Sequence, residues 1–205
     1  AWEQRLNEVS AVFKTCPELS EGSASFSFQI LRTYFVNSEG SLVVQNRVAT
    51  RVMLMASLKA ADGMELPLNR DYFAYTPDDL PDNDRMIADA RDMIKRLLAL
   101  RDAPVADPYT GPSILSGSAS GVFFHEIFGH RLEGHRLKSG GQTFKKMVGE
   151  QVLPVEFQVY CAPLLKRYAD TDLYGHYVYD DEGVKARRVD NVVNGVLKEF
   201  LMSRV

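Results

Sequence analysis

Three of the four histidines fall within the short segment His125–His135, and a glutamate follows the first of them directly. His125, Glu126 and His130 form the pattern H-E-x-x-x-H, which is one residue longer than the H-E-x-x-H pattern of zinc proteases. Neutral imidazoles suit Zn²⁺, and a carboxylate beside the first ligand can act as a general base. The residue types therefore predict a zinc-dependent hydrolytic site, with His125 and His130 as metal ligands and Glu126 as the base.

The extra residue has a geometric consequence for a helix that carries this pattern. On a regular α-helix, residues four positions apart lie about 40° apart around the axis, whereas residues five positions apart lie about 140° apart. The two imidazoles can therefore bind one ion only if the helix is kinked or contains a single-turn π-bulge. Gly129, just before the second histidine, is a position where such a distortion costs little. We expect a distorted helix here.

The residues around the motif each have a second interpretation. His125 and His130 could be hydrogen-bonded core histidines, although the pattern as a whole favours metal binding. His135 could fold back as a third ligand, or it could be a solvent-facing residue at the helix end, where the helix dipole favours it. Glu133 could orient an imidazole or be a surface charge. We interpret His176, in a tyrosine-rich strand, as structural.

The elements around the motif predict an α+β fold in two parts. The stretch Ser116-Gly117-Ser118-Ala119-Ser120 supplies a turn and a hydroxyl cap for a following helix that continues to Leu132. The prolines from Pro104 to Pro112 mark a stiff connector before it. We expect a central domain at residues 1–103 and the first part of a catalytic domain at residues 104–205.

The first part begins with an amphipathic helix near residues 2–13 and then changes to period-2 alternation. Strands at 25–36, 41–46 and 48–60, joined by short turns, predict an antiparallel meander. A second amphipathic helix, capped by Asp82 or Asp84, should end near Arg101. The second part is rich in strands, at 152–161, 176–179, 188–193 and 196–202. Asn194-Gly195 between the last two is a strong hairpin signal.

Composition excludes several classes of protein. The 205 residues are 45% hydrophobic and 25% charged, with a net charge of −3, which is typical of a soluble globular protein. No apolar run approaches the ~18 residues of a membrane helix, and phosphate binding needs clustered Lys and Arg. We therefore expect neither a membrane nor a nucleic-acid partner. Cys16 and Cys161 could form one long-range disulfide, but two cysteines are too few for a disulfide framework, and we interpret both as reduced, buried thiols.

The chain begins at Ala1 without Met and ends just after an apolar, strand-like stretch. We interpret it as a segment of a longer protein. No apolar signal-peptide core follows Ala1, and we expect a cytoplasmic location.

Residues 121–134, GVFFHEIFGHRLEG, resemble the active-site helix of the TldD/PmbA metallopeptidases, also called modulators of DNA gyrase. Three further stretches agree with that family in the same order, at residues 35–40, 181–184 and 194–198. The chain is most similar to the TldD-type catalytic subunit, because the PmbA (TldE) partner type lacks H-E-x-x-x-H.

The resemblance implies a zinc-dependent peptidase that acts on peptides or unfolded proteins, as a homodimer or as a heterodimer with a family partner. It implies His125 and His130 as ligands, Glu126 as base, and a third ligand from a cysteine near the C-terminus, beyond this segment. Cys161 does not inherit that role. His135 replaces an Asp that is frequent in TldD-type sequences, which leaves a local role for it open. The alternatives are a non-catalytic scaffold or peptide-binding member without a working metal, and a nucleic-acid-linked regulator, which the charge disfavours.

Overall fold

In a computed structural model of the protein, which describes residues 1–138 and 144–204, the chain divides into two compact units. The first unit comprises Ala1–Thr33, Asn46–Pro108 and Arg167–Tyr174. The second comprises Tyr34–Gln45, Tyr109–Lys166 and Gly175–Val205. The division of the domains after residue 103 stays a prediction.

Helices and small antiparallel sheets make up the described part of the chain, and this mixture confirms the predicted α+β class. The strands pair in three sheets with the orders β1-β2-β3, β4-β7-β8 and β5-β6. The α-helices are α1 (Trp2–Ala11), α2 (Asn83–Arg101) and α3 (Gly117–Ile127), and 3-10 helices cover Phe13–Thr15, Pro77–Asp79, Gly129–Leu132 and Gly134–Leu137. The strands are β1 (Leu19–Val36), β2 (Leu42–Lys59), β3 (Glu65–Ala74), β4 (Val159–Cys161), β5 (Arg167–Tyr168), β6 (Thr171–Asp172), β7 (Val189–Val193) and β8 (Val196–Leu197).

The predicted meander is present, but its strands differ from the prediction. The two strands expected at 41–46 and 48–60 are one continuous strand, β2, because polar residues such as Asn46 do not interrupt an extended chain. The third strand is β3, which sequence reasoning passed over. β3 pairs antiparallel with β2 and lies at the sheet edge. Its Pro67 is tolerated at an edge, where one side of the strand needs no partner for a backbone N–H group.

The core of the first unit lies between this sheet and the helices α1 and α2. Alternate residues of β2 are buried there against the apolar stripe of α2, as the helical period predicted. Asp82 caps α2 by accepting a hydrogen bond from the Arg85 N–H at 2.9 Å, so one of the two predicted caps is confirmed. The buried residues of β2 and α2 are Val52, Leu54, Ala56, Leu58, Met86, Ala90, Met93 and Leu97.

A buried carboxylate ties α2 to the sheet. Asp89 accepts a hydrogen bond from the Tyr72 hydroxyl at 2.6 Å and from Arg85 Nε at 3.0 Å, and Arg70 lies 3.6 Å away. Desolvation acts to raise the pKa of Asp89, but the hydrogen bonds from Tyr72 and Arg85 and the nearby arginine charges outweigh it, so the pKa lies below its ordinary value. The ionised form is thus the one that the fold stabilises.

The second unit is built around the sheet β4-β7-β8. The hairpin between β7 and β8 confirms the Asn194-Gly195 prediction: both residues have positive φ, 50° and 76°, as a type I′ turn requires. The strand expected at 176–179 is absent; that segment makes a single bridge, Tyr179↔Lys185. The core of this unit consists of Phe128, Leu132, Phe144, Val192, Leu197 and Phe200.

Within residues 1–138 and 144–204, none of the helices combines the length and the hydrophobicity that crossing a bilayer requires.

Replacing Asp89 by asparagine should lower the free energy of unfolding by roughly 1–3 kcal/mol at pH 7, because it removes a charged hydrogen-bond acceptor. The folded-state pKa of Asp89 is depressed, so its contribution is complete above the unfolded value of about 3.9 and is lost as pH falls through the folded pKa. The loss caused by the substitution should therefore shrink in acid. Urea unfolding at pH 7 and pH 3 measures both effects.

Asp92→Asn is the matched control, since Asp92 forms an exposed ion pair with Arg96 on the same helix, and such pairs contribute little. Equal losses for the two variants would contradict a special role for Asp89.

Candidate metal centre

Helix α3 carries the first half of the motif. Ser116 caps this helix as predicted, because its hydroxyl accepts a hydrogen bond from the Ala119 N–H at 3.4 Å. His125 and Glu126 lie in the last turn, and the helix ends at Ile127. The helix end therefore falls between the two histidines of the motif.

Phe128 is the point at which the helix is interrupted. Its backbone has φ −123° and ψ −48°, outside the helical region, and a 3-10 helix begins at Gly129. The distortion that the five-residue spacing demanded is thus an α-helix end followed by a tighter turn, and a π-bulge does not form. Gly129 keeps a negative φ, and an added Cβ there would make only ordinary contacts of 3.8 Å or more.

Aromatic packing holds this interruption in place. The side chain of Phe128 is buried and stacks on Phe124 with ring centroids 5.0 Å apart, and it meets Phe144 edge-on at 5.3 Å. Leu132, at the end of the 3-10 turn, is buried in the same cluster. His130 lies between these two buried residues, so the direction of its ring follows from how they pack.

The interrupted helix brings the three motif side chains together. Ligand atoms of His125, Glu126 and His130 all lie within 4.8 Å of one another. Glu126 lies 3.9 Å from His125 Nε2 and 3.5 Å from His130 Nε2, and the two imidazole centroids are 4.6 Å apart. The side chains of His125 and Glu126 are 63% and 61% exposed, that of His130 34%. The group is open to solvent on one side.

Glu133 anchors the far side of His130. Its Oε1 lies 2.6 Å from His130 Nδ1, while its other oxygen accepts a hydrogen bond from Arg136 Nε. The pKa of Glu133 lies below its ordinary value, mainly because Arg136 donates a hydrogen bond to the carboxylate. Partial burial acts in the opposite direction, and the contact with His130 lowers the pKa further. The sequence analysis left the role of Glu133 open and did not consider Arg136. The signal that could have found Arg136 is its position three residues after Glu133, where the two side chains can meet on one helical face.

The other candidates lie outside this group. His135 is 77% exposed, and its Nε2 lies 3.7 Å from Glu133. His176 places Nδ1 2.9 Å from the carbonyl of Pro163. Burial raises the pKa of the Cys161 thiol, which disfavours the thiolate that a metal would need. Among the residues that the structure describes, the one group with converging donors is His125, Glu126 and His130.

This donor set suits a divalent transition metal. Glu133 Oε1 contacts Nδ1 of His130, and Nε2 of the same ring lies 3.5 Å from Glu126. Imidazole and carboxylate groups are common ligands of such ions. The donor atoms of one tetrahedral ion lie roughly 3–4 Å apart, given bonds near 2 Å. The observed separations are within reach of side-chain rotation.

Comparisons with known proteins agree with this chemistry. Residues 109–205 match the family model of the PmbA/TldA metallopeptidase C-terminal domain. A protein of Methanothermobacter thermautotrophicus named metalloprotease is 30% identical over 176 residues, which are 83% of this chain and 36% of that protein. A zinc metalloprotease TldD homolog of Saccharolobus solfataricus is 24% identical over 98% of this chain and 45% of its own length. The chain belongs to the TldD/PmbA family.

A solved structure supports the TldD/PmbA fold. The crystal structure of TldE from Thermococcus kodakarensis superposes with a TM-score of 0.61 at 17% identity, over 97% of this chain and 43% of that one. The chain thus spans less than half the length of these TldD/PmbA relatives.

Gly134 fixes the segment that carries Glu133. Its N–H donates to the Leu201 carbonyl at 2.8 Å, and the Leu201 N–H donates to the Leu132 carbonyl at 2.8 Å. A Cβ on Gly134 would lie 2.5 Å from the Leu201 carbonyl oxygen and 2.0 Å from the Met202 sulfur. Met202 can move aside, whereas the backbone oxygen cannot move without breaking this pairing.

Gly134→Ala should therefore lower the free energy of unfolding by about 1–3 kcal/mol, the usual cost of overpacking. Gly129→Ala, which meets no such obstacle, should cost less than 1 kcal/mol and is the matched control. Chemical denaturation of both variants measures the difference. Equal stability of the two would show that the backbone approach at Leu201 does not require glycine.

Proposed function

We propose that the protein is the TldD-type, zinc-dependent peptidase subunit of this family. The observation that carries the proposal is the convergence of His125, Glu126 and His130 at the interruption of α3. Two imidazoles with an adjacent carboxylate are the groups that zinc peptidases use. The names of the relatives support a metal-dependent peptidase.

The residues of the group would have different roles in catalysis. His125 and His130 would hold the ion, since each offers an imidazole nitrogen to the same space. A bound zinc ion would acidify a water molecule and polarise the scissile carbonyl. Glu126 would accept a proton from the attacking water and deliver it to the leaving amine. The exposure of its carboxylate and its position 3.5 Å from His130 Nε2 support this role.

A catalytic zinc ion usually has three protein ligands and one open position. If Glu126 serves as the base, the described residues supply two ligands in this group. Because the relatives are more than twice as long as this chain, we propose that the third ligand is a cysteine outside residues 1–205. His135 is the local alternative.

The proposed substrates are peptides and unfolded proteins. The high exposure of His125 and Glu126 supports access by an extended chain. We also propose that the protein acts as a dimer, either with a second copy or with a partner subunit of the TldE type, because a TldE structure shares its fold.

Glu126→Gln in the full-length protein should lower kcat for an unstructured peptide by about 10²–10⁴-fold, the usual contribution of a general base. The amide cannot accept the proton, but it leaves both imidazoles in place, so zinc content should not change. Peptide cleavage followed by mass spectrometry, together with metal analysis, measures both quantities.

Glu156→Gln removes the same charge at an exposed site in the second unit and should leave cleavage unchanged. Peptide cleavage by Glu126→Gln at the wild-type rate would contradict the proposed role of Glu126 as the base. A wild-type protein that holds no metal and cleaves nothing would favour the scaffold or peptide-binding alternative.

Removal of bound metal by a chelator should abolish cleavage, and added zinc should restore it. His125→Ala and His130→Ala should each weaken zinc binding by more than the 10–100-fold typical of losing an outer hydrogen-bond partner. We expect weak zinc binding by residues 1–205 alone, since only two ligands are clear. If residues 1–205 alone bound one zinc ion per chain and retained it against a chelator, the proposal that the third ligand lies outside this segment would be wrong. His135 would then be the candidate for the third ligand.

A further inference from the structure

Glu133 differs from the other carboxylate near the histidines in how firmly it is held. Its side chain is 28% exposed, whereas that of Glu126 is 61% exposed. Both of its oxygens have partners, His130 Nδ1 on one side and Arg136 Nε on the other. One of the two partners of Glu133 is thus a candidate zinc ligand, and the other is an arginine.

The contact with His130 determines which ring nitrogen carries the proton. A neutral imidazole has one N–H donor and one acceptor nitrogen, whereas a carboxylate can only accept. Oε1 of Glu133 lies 2.6 Å from His130 Nδ1, and its other oxygen already accepts a hydrogen bond from Arg136 Nε, so a carboxylate at this position pairs with the N–H form of Nδ1. In the neutral ring with the proton on Nδ1, the acceptor nitrogen is Nε2, on the side where Glu126 lies 3.5 Å away.

Two features hold the Glu133 carboxylate in place. Arg136 lies one turn further on and binds the oxygen that His130 does not use. The backbone of Glu133 forms a parallel bridge with Leu201, and the flanking Leu132 and Gly134 exchange hydrogen bonds with Leu201. The carboxylate is therefore fixed through its side chain and its main chain together.

From these contacts we infer that Glu133 is a positioning residue for His130, with Arg136 as the group that orients it. The inference rests on the proposed metal-binding role of His130. Glu133 selects the tautomer and the ring orientation that present Nε2, and this raises the affinity of the site for zinc. His125 is the more exposed imidazole, at 63% against 34% for His130, so His130 is the preorganised ligand of the pair.

The test measures zinc affinity of the full-length protein by competition with a chromophoric chelator. Glu133→Ala should weaken zinc binding by about 10–100-fold, the range for losing a carboxylate that orients a histidine ligand. Glu133→Gln keeps an acceptor oxygen without the charge, so its loss should be smaller. Arg136→Gln should fall between wild type and Glu133→Ala. Glu156→Gln is the matched control and should bind zinc as wild type does.

The absorption spectrum of the Co²⁺-substituted protein gives a second readout, because it reports ligand geometry. It should change in Glu133→Ala and be largely restored in Glu133→Gln. Circular dichroism and thermal unfolding show whether each variant is folded. A purely structural role would lower the melting temperature of both variants without this graded order of zinc affinity.

The outcomes separate this inference from the proposed function. Wild-type zinc affinity and an unchanged Co²⁺ spectrum in a folded Glu133→Ala would overturn the positioning role alone, whatever the peptidase activity. A wild-type protein without affinity for zinc or Co²⁺ would overturn both. Loss of cleavage in Glu126→Gln with retained zinc, beside graded affinity in the Glu133 series, would support both.

Discussion

Burial of Phe128 and Leu132 in one aromatic cluster holds the chain on both sides of His130. Burying a side chain of this size contributes roughly 1.5–3 kcal/mol, whereas each α-helical hydrogen bond given up beyond Ile127 costs about 1 kcal/mol. The packing therefore outweighs helix continuation. The helix stops at Ile127, and the second imidazole turns towards the first.

Two carboxylates near these imidazoles have different environments and therefore suit different tasks. Glu126 is exposed, and its carboxylate lies 3.9 Å from His125 Nε2 and 3.5 Å from His130 Nε2, which suits the proposed exchange of protons with a substrate. Glu133 is engaged by His130 and Arg136, where a group that holds a ring must be. These differences in solvent access and hydrogen bonding are the basis on which we propose Glu126 as the base and Glu133 as the positioning residue.

The C-terminal hairpin of the second unit supports this arrangement from a distance in sequence. Its Asn194-Gly195 turn reverses the chain, and buried Asn191 then holds the returning strand through a 3.0 Å hydrogen bond to the Glu199 carbonyl. Two residues later, Leu201 exchanges backbone hydrogen bonds with Leu132 and Gly134. A locally encoded turn thus determines where the segment that carries Glu133 can lie.

Sequence reasoning anticipated the features that depend on neighbouring residues. The α+β class, the caps at Asp82 and Ser116, the apolar stripe of α2 and the Asn194-Gly195 hairpin all follow from side-chain chemistry within a few positions, and the structure has them. It was less successful with strands. The edge strand β3 was missed and β2 was divided in two, because the continuity of a strand depends on its partners.

The candidate site also combines features that depend on neighbouring residues with features that depend on distant ones. The types and spacing of His125, Glu126 and His130 predicted the kind of chemistry that we propose and the need for a break in the helix. The form of that break depends on Phe144, and the position of the backbone at Glu133 depends on Leu201; both residues lie beyond the motif in the chain. Contacts of that kind carry no local sequence pattern, so only the tertiary structure decided them.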